Sequence, residues 1–128
     1  MTAIHLRFLR VAVIYLIAGM CLGLGMGISG DHSLFPAHAH IGLVGWASFA
    51  VYGLVYRSFP SAAASRLARW HFWLANAGAL LLVVGIAGIN LGNEGFVPLA
   101  ASGGVISIVA ALVFATILFR ANGAATPG

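Results

Sequence analysis

Two histidines, His38 and His40, stand two residues apart in the stretch FPAHAHIGLVGW, just where a long apolar run begins. Imidazole is costly to place in lipid and is a common ligand for iron and copper. Histidines at the edge of a membrane segment therefore point first to a metal or a metal-bearing cofactor. Three more histidines are present, His5, His32 and His71. Cys21 is the single cysteine, which excludes an intrachain disulfide and any cysteine-rich zinc or iron–sulfur site. There is no serine triad and no pair of catalytic carboxylates. The GLGMG at 23–27 lacks the preceding strand that a nucleotide fingerprint requires.

On a regular helix, residues two apart differ by roughly 200° of rotation, so His38 and His40 serve different faces. One face runs His38, Gly42, Gly45, Phe49, and its glycines leave a flat trough beside the imidazole that suits a planar macrocycle such as heme b. The other runs His40, Leu43, Val44, Ala47, Val51, an apolar wall. His32, in the loop before, joins His38 and His40 as a candidate copper set, to which Met20 or Met26 adds soft ligation. His71, between Trp70 and Phe72, reads as an interfacial anchor, His5 as a tail residue and Cys21 as a small packing residue. The plainer account of His38 and His40 is two side chains in a first turn, wetted by headgroup water.

The elements that must position these groups are membrane helices. Hydrophobic residues make up 62% of the chain and charged residues 6%, more apolar surface than a soluble domain of 128 residues can hide. Crossing a bilayer takes roughly 20 apolar residues. Four runs meet that, at about Val11–Ile28, Ala37–Tyr56, Trp70–Leu91 and Val97–Phe119, all free of Lys, Arg, Asp and Glu. The expected fold is all-α, one four-span domain over 1–120 with a flexible tail at 121–128. Ser33 and Ser65 are candidate N-caps, Pro36 suits a first turn, and Glu94 suits a helix N-terminus. Small residues recur at Gly19, Gly23 and Gly27, and at Ala100, Gly104, Ser107 and Ala111, spacings that allow close helix contact.

All six basic residues are arginine, at 7, 10, 57, 66, 69 and 120, and the acids are Asp31 and Glu94 alone. Scattered between apolar runs, these arginines are topology signals and not a nucleic-acid surface. With both termini in the cytoplasm, every arginine obeys the positive-inside rule, and Tyr56, Trp70 and Trp73 mark the cytoplasmic interface. His32, His38 and His40 then lie at the outer side. His40 and His71 are separated by roughly 20 Å along the helix axes, too far to share a metal within one subunit. Met1–Ile28 is not read as a signal peptide. Its apolar run is too long, and the AHA at 37–39 lies too far beyond it.

The stretch FPAHAHIGLVGWASFAVYGLVYRSFP resembles the second-helix region of small membrane proteins related to the catalytic subunit of heme-copper oxidases and nitric oxide reductases. That family's large subunit has twelve helices in three arcs of four, and one arc carries an HxH pair whose histidines serve two different hemes. The resemblance maps that pair onto His38 and His40. It implies a homotrimer that imitates the twelve-helix subunit, with heme near the periplasmic side of a bacterial inner membrane. It implies electron transfer or binding of a diatomic gas, with the redox partner left open. The chain lacks an adjacent histidine pair on its third span and any Lys or acid inside a span to carry protons inward, which speaks against a proton-pumping oxidase. Copper handling, and a structural accessory role in a respiratory complex, are the other two readings.

Overall fold

The computed structural model describes residues 3–122, and of the expected tail at 121–128 only the first two residues fall among them. Those residues are all-α, with no strand. Helix α1 spans Ile4–Ser29. Helix α2, Phe35–His40, runs into a π-helical stretch over Ile41–Ala47 and then helix α3, Ser48–Ser58. A short α4, Pro60–Ala63, leads to α5, Arg66–Asn90, and a 3-10 turn at Glu94–Phe96 leads to α6, Val97–Arg120. Four of the resulting helices are long and apolar enough to cross a membrane: Ile4–Ser29, Phe35–Ser58, Arg66–Asn90 and Glu94–Arg120. The helices exceed the uncharged runs because Arg7, Arg10, Arg57, Arg66, Arg69 and Arg120 continue them at their ends.

The caps explain where the chain turns. Gly30 ends α1 in the left-handed region at φ 73°, and its N–H donates to the Met26 carbonyl at 2.9 Å. A residue with a Cβ is strained in that conformation. Ser65 caps α5, its Oγ accepting from the Ala68 N–H at 3.2 Å. Ser33 does not cap α2. Its N–H and hydroxyl both donate to Asp31, and the helix begins two residues later with Pro36 in the first turn. Those two donors hold the Asp31 carboxyl below its ordinary range.

The spans form two antiparallel hairpins zipped by glycine. In the first, a Cβ on Gly53 would stand 2.8 Å from Leu9 Cγ, one on Gly45 2.4 Å from the Tyr15 ring, and one on Gly19 3.1 Å from Ile41. In the second, Gly78 meets Ser107, Gly85 meets Ala100, Gly88 meets the Phe96 ring, and Gly103 meets the Leu82 backbone. Gly27 meets nothing and Gly104 almost nothing. The contact row on α6 is therefore Ala100, Gly103, Ser107 and Ala110, which follows a period of 3.6. A strict four-residue spacing drifts around the helix.

This pairing gathers all six arginines at one end of the bundle, with Asp31 and Glu94 at the other. At the arginine end an aromatic cluster joins the hairpins. Phe8, Phe49, Tyr56 and His71 are its largest fully buried members. The Arg7 guanidinium lies 4.3 Å from the centre of the Phe72 ring. Trp70 and Trp73 are exposed there, as an interfacial position requires, whereas Tyr56 is buried. The outward faces of α1 and α6 are apolar, including Ile14, Met20, Leu24, Ile108 and Phe119, the surface a bilayer would cover.

Candidate cofactor site

The second span is not a regular helix at the point that matters. Over Ile41–Ala47 the backbone bonds widen to the π pattern. Ser48 closes the stretch, with both its N–H and its hydroxyl donating to the Leu43 carbonyl, the hydroxyl at 2.7 Å. Two glycines make the loosening cheap, and π turns occur often at functional sites. A π turn holds more residues than an α turn, so the helix phase lags. The face expected to run His38, Gly42, Gly45, Phe49 is thereby split. Gly42 stays open, with nothing within 4 Å of a would-be Cβ, while Gly45 turns in against Tyr15 and Phe49 enters the core. The flat trough is thus His38 and Gly42, without Gly45.

What replaces it is a cleft between α1 and the second span. It has a volume of about 380 Å³ and is open on one side. Tyr15, Leu16, Gly19 and Met20 form one wall, and His38, Gly42, Leu43 and Trp46 the other. The His38 ring lies flat against Gly23, where a Cβ would come within 2.9 Å of its Cε1. Its Nδ1 is fully enclosed and has no hydrogen-bond partner. A buried nitrogen left unsatisfied is uncommon and costs about 1–3 kcal/mol.

His40 stands outside that lining, on a different side of α2, as the two-residue spacing requires. Its Nδ1 is 2.7 Å from the Pro36 carbonyl. A carbonyl only accepts, so Nδ1 carries the proton and Nε2 keeps a bare lone pair. This is the tautomer that a metal-binding histidine uses, oriented by a backbone carbonyl behind it. His32 is exposed, its Nδ1 3.1 Å from the Gly30 carbonyl. Among the described residues no three His, Cys, Asp or Glu side chains gather as a metal set, so His32, His38 and His40 do not form a copper cluster within one chain. Met20 lines the cleft, while Met26 is buried in the helix contact.

No family model matches this sequence, and no curated protein or solved structure is similar to it.

Three sequence expectations outside the cleft are corrected. His71 is not an interfacial anchor. It is completely buried, with its Nδ1 2.8 Å from the Tyr56 hydroxyl. Phe8 stacks near-parallel on its ring at 5.0 Å, Phe114 lies at 5.2 Å, and Tyr52 meets it at a steep angle at 4.4 Å. His5 belongs to α1, where its carbonyl packs against Gly53. Cys21 is exposed and packs nothing. The Trp70–His71–Phe72 triplet held the signal for the buried pair, because only one side of a helix can face the membrane. Trp70 and Trp73 take that side, leaving His71 and Phe72 to the core.

Proposed function

We propose that the chain is a b-type heme protein of a bacterial inner membrane, with the cleft between α1 and the second span as the cofactor site. The observation that carries this reading is His38. Its imidazole, with an enclosed and unpartnered nitrogen, borders an apolar cleft whose floor at Gly42 is open. These residues fit a planar, largely apolar macrocycle with an imidazole ligand. When bound, heme supplies one-electron redox chemistry at its iron. The chain's own part is to hold and shield it. His38 offers the ligand nitrogen, Gly42 leaves the space, and Leu16, Met20 and Trp46 exclude water. Gly23 admits the ring of His38 and fixes its tilt.

One chain provides one histidine to its own cleft, because His40 faces elsewhere. We therefore place the second ligand on another copy, whose His40 Nε2 is bare and already oriented. A closed ring meets this need at every interface at once, and three copies give the twelve helices of the resembled family. Bis-histidine ligation leaves no open iron position and favours electron transfer. A single ligand leaves one position open and admits a diatomic gas. The even sorting of arginines to one end supports cytoplasmic termini and a periplasmic site.

A reduced-minus-oxidised absorption spectrum of the purified protein, with metal analysis, tests the reading directly. Sharp low-spin heme bands, lost in both His38→Ala and His40→Ala, are expected. Copper without heme overturns it. Native mass spectrometry should find three chains, and a monomer retaining bis-histidine heme overturns the shared site.

A further inference from the structure

We propose that Tyr56 and His71 form a proton-coupled redox pair, the end point for oxidising equivalents that enter the bundle from the cleft. The pair lies on the far side of the core from His38. The Tyr56 hydroxyl and His71 Nδ1 are 2.8 Å apart, and the two side chains retain only 1% and 0% of their surface. Nε2 of the same ring is enclosed and has no polar partner. Phe8 and Phe114 lie near-parallel to the imidazole, Tyr52 and Tyr56 stand around it, and aromatic faces are all that an Nε2–H can meet. Nδ1 is then the acceptor, and the Tyr56 O–H donates to it.

Rings connect this pair to the cleft. Tyr15 lines the cleft and lies 5.7 Å from Phe49. Phe49 lies 6.1 Å from Tyr52, and Tyr52 lies 4.4 Å from His71. Phe8 gives a second link, 5.7 Å from Phe49 and 5.5 Å from Tyr56. Three tyrosines sit on or beside this ladder, but the structure gives a side-chain base to Tyr56 alone. That difference decides where an electron hole stops. An oxidised phenol is a strong acid, and it is trapped only where a base takes its proton at once.

The step balances within the pair and one oxidant. Tyr56 gives one electron, through the ladder, to a high-potential metal-centred one-electron oxidant at the cleft. Its O–H bond breaks, and an N–H bond forms at His71 Nδ1. The products are a neutral tyrosyl radical beside an imidazolium, flanked by Phe8 and Phe114, whose π faces favour a cation. Return of one electron reverses both transfers. The natural source of the oxidant rests on the proposed heme. The pair itself does not, so the test supplies its own oxidant.

Cys21 is exposed and adjacent to the cleft residue Met20, and no other cysteine competes with it. A ruthenium polypyridyl photo-oxidant attached there, in the full-length protein, starts the reaction with light. The expected product is a neutral tyrosyl radical by electron paramagnetic resonance. It should vanish in Tyr56→Phe, which keeps the ring in the cage, and persist in Tyr15→Phe and Tyr52→Phe. Isotopically labelled histidine should show a nitrogen coupled to that radical. A radical of unchanged yield in Tyr56→Phe, a radical without histidine coupling, or no tyrosyl radical overturns the proposal. None of these results depends on whether heme is bound, so its failure is distinct from failure of the cofactor reading.

Discussion

His38 and His71 occupy the same kind of position, each on a span near one end of the bundle, and their surroundings are opposite. Around His38 the chain has removed material. Gly23 lies against the ring, Gly42 opens the floor, and Nδ1 has no partner. Around His71 it has added material: two stacked phenyl rings, two tyrosines and a hydrogen bond. A histidine that serves packing is surrounded until its polar edge is satisfied or sealed. One that serves a ligand is left with space beside it, and stability is forgone there. The difference between the two ends thus separates a structural neighbourhood from a binding one, which the shared residue type cannot do.

The comparison breaks most visibly at the closed end. His71→Ala should remove the centre of the aromatic cluster and strand the Tyr56 hydroxyl, costing about 3–5 kcal/mol by analogy with other large-to-small core changes. Thermal unfolding in detergent measures it. His38→Ala should instead leave the unfolding temperature close to wild type or raise it, since an unpartnered buried nitrogen disappears, while heme content falls. Equal losses of stability at both sites would erase the contrast.

The glycines sharpen it at the next level. Gly45→Leu drives a branched side chain into the Tyr15 ring and should cost about 1–3 kcal/mol or more, because overpacking forces backbone shifts. Gly42→Leu meets open space, so stability should hold while cofactor binding is lost. Heme retained at full content in Gly42→Leu would place the cofactor elsewhere. A smaller effect is expected from Ser65→Ala, which removes the cap of α5 and should cost about 1 kcal/mol, read in the same unfolding experiment.

The orientation of the two ends is open to labelling. In a Cys21→Ser background, Asp31→Cys should react with an impermeant thiol reagent in intact cells, and Ala64→Cys should not. Both positions are exposed. The reverse pattern would put the cleft in the cytoplasm. The smallest effect concerns the loop at that end. The Asp31 carboxylate accepts from the Ser33 N–H and hydroxyl, which lowers its pKa. Its contribution to loop order is present above the unfolded pKa and is lost as the pH falls through the lowered folded value. Ser33→Ala should return the Asp31 titration towards the ordinary range by nuclear magnetic resonance.

Much of the architecture was determined by the sequence itself. Apolar runs of the length of a bilayer, with arginine confined to alternate connections, dictate four helices and their up-and-down order, because an exposed backbone amide has no partner in lipid. The diverging directions of His38 and His40 follow from helix rotation alone, and Ser65 as a cap follows from its place before an apolar run. Tertiary structure decided the rest. A π turn has no fixed sequence signature, so the phase shift that turns Gly45 into the helix contact and leaves Gly42 open could not be read from glycine spacing. Whether Trp70 or His71 faces the core depends on where α6 and α1 pack, since Phe114 and Phe8 come from those helices. Partners distant in the chain set the environment of each histidine, and environment is what distinguishes a candidate ligand from a buried core residue.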